Sequence, residues 1–182
     1  MNKKELWLRI KAYHFDHLVP IELWDRISEL FGGDDASEKA FAYKLARKLG
    51  WNKRYAMLAV QGYKKFVYLG MVAGFRVTPS KYIDQVWHEH LLFTKAYREF
   101  CNNILQQDFD HHPELVPDTE QTGIFNAQYL DTLALYEREF GITPPRAVWG
   151  STKFDQDSLE AMIYESRKKK FKESSAGYDY SV

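Results

Sequence analysis

Apolar residues recur three and four positions apart along most of this chain, and no stretch alternates apolar with polar, so the pattern predicts helices and no strands. A first helix over 2–14 carries Leu6, Ile10 and Tyr13. Pro20 opens a second, with Leu23, Trp24, Ile27, Leu30 and Phe31 as its stripe and Gly32-Gly33 as its stop. A third places Phe41, Leu45 and Leu49 on one face and ends at Gly50. Asn52 caps a fourth over 53–72, which carries Ala56, Val60, Tyr63, Phe66, Val67 and Leu69. After Gly74 and a capping Ser80, a long fifth helix is expected over 81–105. A polar loop follows over 108–122, with Pro113 and Pro117. A sixth helix over 123–140 ends at Gly141 and Pro144-Pro145, and a short one over 155–168 leads into a polar tail expected to be disordered. The expected fold is an all-α bundle of six to seven helices around 81–105. Its expected extent is one domain over 1–150, with 151–182 as an appendage.

Composition narrows the function classes. The chain has 182 residues, 45% hydrophobic and 27% charged, as in a globular protein. Lys plus Arg and Asp plus Glu both number 25, so no net field steers nucleic acid to it, and the basic run at 167–172 reads as a solvated helix end. One cysteine, Cys101, excludes an intrachain disulfide and reads as a small buried hydrophobe rather than a nucleophile. No apolar run approaches the roughly 20 residues of a membrane span, and the N-terminus lacks a secretory apolar core. A cytoplasmic location is the expectation.

The chemistry concentrates on the fifth helix. At ~100° per residue, Ile83, Val86, Trp87, His90, Phe93, Tyr97, Cys101 and Ile104 fall on one face. Asp84 and His88, four apart, share the opposite one. His88 and His90 therefore diverge, and a single site using both would need a distorted helix. His90 is expected in the core, with the Tyr97 hydroxyl or a distant backbone group as its partner. His111 and His112 follow in the loop, where Pro113 holds His112 extended. Asp84, His88 and His112 make the preferred three-ligand set with an open position, His111 and His90 being lesser candidates. Such donors suit zinc, and also iron or manganese. His-Glu-x-x-His fails because position 92 is leucine, and no phosphate loop, nucleophile elbow or Cys-x-x-Cys is present.

Taken in order, Thr78-Pro79-Ser80, Asp84, Trp87-His88, His90, Tyr97, Phe100-Cys101, His111-His112-Pro113, Tyr129, Tyr136, Phe140-Gly141, Pro144-Pro145 and Trp149 resemble the glycine-rich domain-containing protein-like family. The resemblance covers roughly 38–150. Glu114 stands where that family usually has threonine, and both the glycines that often follow and the glycine-rich tail are missing. The resemblance implies a helical domain of unassigned activity with Asp84, His88, His90, His111 and His112 in a metal or polar centre.

Two functions stay open on the sequence. One is a divalent-metal site, zinc foremost; if catalytic, it would serve a hydrolase with Glu89 or Glu114 as base. The other is a non-enzymatic module whose histidines are structural and whose aromatic surface or C-terminal tail recruits a protein partner.

Overall fold

The computed structural model of the chain describes residues 1–112 and 119–150. The expected helix over 155–168, the tail, the basic run at 167–172, and Pro113, Glu114 and Pro117 lie outside those residues. Among the described residues the chain is all-helical, as the spacing predicts. No described helix is long and apolar enough to cross a membrane.

Helix α1 is Lys3–Ala12, capped by the Asn2 carboxamide oxygen, which accepts from the Glu5 amide at 2.9 Å. It stops two residues short of the expected end, because Tyr13 is extended and Phe15 adopts a left-handed φ of 64°. That turn sends the Tyr13 and Phe15 rings into the core. After two 3-10 turns, Asp16–Leu18 and Ile21–Leu23, comes α2, Trp24–Phe31. The stripe of α2 is only partly covered: Leu23, Trp24 and Leu30 are exposed, while Ile27 and Phe31 are half-buried.

Helices α3 (Ala36–Leu49) and α4 (Lys53–Val72) fall where the sequence places them. Gly50 ends α3 at a φ of 69°, where any other residue would be strained, and the Asn52 side chain accepts from the Tyr55 amide to start α4. α4 is the helix at the centre of the bundle, touching α1, α3 and α5 (Lys81–Leu91), and also α7 (Thr119–Phe140) and α8 (Arg146–Trp149). Gly62 is what lets α8 in: a Cβ there would sit 2.9 Å from Val148 Cγ1.

The expected helix over 81–105 is three pieces, α5 (Lys81–Leu91), α6 (Thr94–Phe100) and a π-helical turn at Cys101–Leu105. No glycine or proline marks the break. Phe93, at φ −87° and ψ 62°, leaves helical geometry and packs edge-on to Phe41 of α3, while Leu92 is left 66% exposed. Tertiary packing overrides local propensity here. The π-turn ends at Gln106 in the left-handed region, which directs the chain back toward α5. α7 begins at Thr119, four residues before the expected start and inside the segment expected to be loop.

Candidate metal centre

The segment before α5 is pinned at several points. The Ser80 hydroxyl accepts from the Ile83 amide as N-cap and donates to the Val148 carbonyl at 2.6 Å. The Thr78 amide donates to the Thr132 hydroxyl at 3.0 Å, and the Thr78 hydroxyl to the Gln128 side chain at 3.1 Å. Thr78-Pro79-Ser80 is thus a strap that fixes where α5 starts. Asp84 consequently sits in the first turn of α5, where its negative charge also suits the helix dipole.

His88 lies one turn on, its Nδ1 3.6 Å from Asp84 Oδ2. The third member comes from the loop: His111 Nε2 is 2.9 Å from Asp84 Oδ1. Each carboxylate oxygen thus faces one imidazole, and the two rings lie 4.3 Å apart between centroids. Asp84, His88 and His111 each offer one ligand atom, all within 4.8 Å of one another, and no second such group exists among the described residues. For a tetrahedral zinc with bonds of about 2.0–2.1 Å, the edges between donors are about 3.3 Å. The separations of 2.9 Å from His111 to Asp84 Oδ1 and 3.6 Å from His88 to Asp84 Oδ2, which run to the two different carboxylate oxygens, are of that order. Two imidazoles and a carboxylate are also the neutral-plus-anionic donor set that zinc accepts. The three residues lie close enough together to hold a metal ion.

Loop placement depends on aromatic packing. The Trp87 indole N–H donates to the Tyr97 hydroxyl at 2.9 Å, and that hydroxyl donates to the Phe109 carbonyl. The Phe109 ring stacks on Trp87 at 4.6 Å and 18°, and His111 meets the same indole edge-on at 4.5 Å. Phe109 can lie there because position 70 is glycine: a Cβ on Gly70 would be 2.4 Å from Phe109 Cε2. Neither Gly70 nor Phe109 was singled out by the sequence. Phe109 was visible as a lone aromatic in a polar run, but its partner on α4 was not.

The structure sorts the sequence candidates unevenly. Asp84 and His88 come together as expected. The loop histidine beside them is His111, not the preferred His112; His112 is exposed, its carbonyl accepting from Arg76 at 3.3 Å. His90 faces away into the core with no exposed surface. Its hydrogen-bond partners are the Tyr63 hydroxyl at Nδ1 (3.0 Å) and the Tyr13 hydroxyl at Nε2 (3.5 Å). Tyr97, expected as a partner alongside a distant backbone group, meets it only edge-on as a ring, 5.0 Å between centroids. Burial, aided by the neighbouring His17, lowers the His90 pKa from 6.5 to about 3, so the ring is neutral. Glu89, a candidate base, is buried and ion-paired with Lys44 and Lys48 of α3, and it does not line the cleft that Asp84, His88 and His111 border. Glu114 lies outside the described residues. Cys101 is buried, and that burial pushes its thiol pKa up, against a role as nucleophile.

That cleft measures about 690 Å³, and Phe66, Phe75 and Phe109 are among the residues that line it. His88 is the most open of the three donors, its side chain 52% exposed, against 27% for Asp84 and 11% for His111. No curated protein and no solved structure matches the chain. Residues 38–127, which hold most of α3, all of α4 to α6, and the three donors, are similar to an uncharacterised family whose model is described as UCP032817-like.

Proposed function

We propose that this protein binds a divalent metal ion, zinc foremost, through Asp84, His88 and His111, with its open position facing the cleft. The observation that carries the reading is the convergence of three donor atoms within 4.8 Å at the wall of a cleft. One donor comes from a loop that Tyr97, Trp87 and Gly70 hold in place. Bound there, zinc would supply Lewis acidity at the open position, and hydrolysis is the reaction class this suits. In this reading the kinship with the glycine-rich domain-containing protein-like family rests on the motif residues that form this site and its strap. A cytoplasmic location and a domain over 1–150 belong to the same proposal.

A second reading has its own support. The 2.9 Å contact between His111 and Asp84 is a good hydrogen bond without any ion, and it would by itself pin the loop to α5 in a non-enzymatic interaction module. Elemental analysis of protein purified without an immobilised-metal column separates the two, with His88→Ala alongside. Near-stoichiometric zinc in the parent, lost in His88→Ala with helicity retained, is the expected result. Protein that neither carries zinc nor takes it up on dialysis would refute the metal reading and leave the histidines as a structural latch.

A further inference from the structure

A cleft of about 690 Å³ is far larger than an ion needs and lies within the usual size range of small-ligand sites. Its walls differ in chemistry. Phe75, 41% exposed, and Phe109 contribute aromatic surface to it. Lys81 also lines it, from the same face of α5 as Asp84 and His88. Asp84, three residues on, is its natural partner, but the two Asp84 oxygens are taken by His111 and His88. Lys81 has no ion pair among the described residues.

Among the described residues, the charges that line the cleft are Arg76 and Lys81 against Asp84 and Asp110, which balance. A divalent ion on Asp84, His88 and His111 breaks that balance by two positive charges. A neutral or cationic ligand would leave both the ion and Lys81 uncompensated. Resting on the metal reading above, we propose that the loaded cleft takes a small organic anion, a carboxylate or phosphoryl group on a flat apolar body. Lys81 and the ion share the anionic end, and the Phe75 and Phe109 rings face the body.

The test uses the full chain, zinc-loaded by dialysis or stripped with chelator, with zinc content measured before any ligand is added. The probes are phenylphosphonate, benzyl alcohol, benzylamine and inorganic phosphate, followed by calorimetry. The expected result is that phenylphosphonate binds the loaded protein about tenfold or more tighter than it binds the stripped protein, and tighter than the alcohol or amine by a similar factor. Lys81→Ala should weaken phenylphosphonate about tenfold with zinc content unchanged. Phe75→Ala should erase the advantage of phenylphosphonate over inorganic phosphate. Zinc-loaded protein that fails to prefer the anion, or that ignores Lys81→Ala, overturns this inference and leaves the metal reading standing. Protein without zinc removes both, and the prior zinc measurement tells the two failures apart.

Discussion

The Tyr97 hydroxyl holds the Phe109 carbonyl while accepting from Trp87, so a residue of α6 fixes the loop that brings His111 to Asp84. Tyr97→Phe removes that hold without changing the ring. Two part-buried polar groups, the Trp87 indole N–H and the Phe109 carbonyl, lose their partner, and the cost to stability should be about 1–3 kcal/mol by urea titration. If the site holds zinc, outer-shell disruption of this kind lowers affinity by about 10–100-fold. A competition titration with a chromogenic chelator measures it. Unchanged affinity would show that the loop is held by Phe109 stacking alone.

Gly70→Ala tests the same loop from the other side. The new methyl would lie 2.4 Å from Phe109 Cε2 and 2.8 Å from Cζ, too close for either to stay. Phe109 must leave its stack on Trp87, carrying His111 with it. The expected outcome is about 1–3 kcal/mol of destabilisation from overpacking together with weakened zinc binding, at unchanged helicity. Near-ultraviolet circular dichroism reports the altered Trp87 environment.

His90 makes stability depend on pH. Its folded pKa near 3 lies below the ordinary 6.5, so the unfolded chain binds a proton that the native state refuses. The contribution is fully present above about pH 6.5 and is lost as pH falls toward 3, at up to about 1.4 kcal/mol per pH unit. Urea midpoints from pH 7.5 to 4.5 should show the slope. A chelator keeps metal release out of the measurement. His90→Gln, which keeps a polar group for Tyr63, should flatten the slope; a slope unchanged in that variant would place the proton elsewhere.

The reach of the sequence ends where contacts become non-local. α3 and α4 were legible because Gly50 and Asn52 are local signals that nothing in the tertiary structure opposes. The pairing of Asp84 with His88 was legible for the same reason, being a matter of helical spacing. The break at Phe93 was not, because its cause is Phe41, about fifty residues away. The choice between His111 and His112 failed similarly. Pro113 restrains the backbone of His112, but the ring that meets α5 is chosen by where Tyr97, Trp87 and Gly70 put Phe109. His90 found its two tyrosines on α4 and just past α1, neither of them near it in sequence.

Glu38 and Lys64 are charged residues buried at 2% and 3% exposure, and nothing in the local spacing marks either as buried. Lys64 Nζ lies 2.6 Å from Glu38 Oε2, which also meets His14 Nδ1 at 3.0 Å, while Gln61 donates to the other carboxylate oxygen. Burial lowers the Lys64 pKa, opposed chiefly by Glu38 with Asp35 and Asp16 adding, so the ammonium depends mainly on the Glu38 carboxylate. Lys64→Met leaves the buried Glu38 charge with only His14 and Gln61 beside it and should cost about 3–5 kcal/mol, as for other broken buried pairs. The double variant Glu38→Gln, Lys64→Met removes both charges and should recover most of that loss, because desolvation had already consumed much of the attraction. A urea double-mutant cycle reads the coupling directly. If the double variant is no more stable than Lys64→Met alone, the cost lies in lost packing and not in the stranded charge.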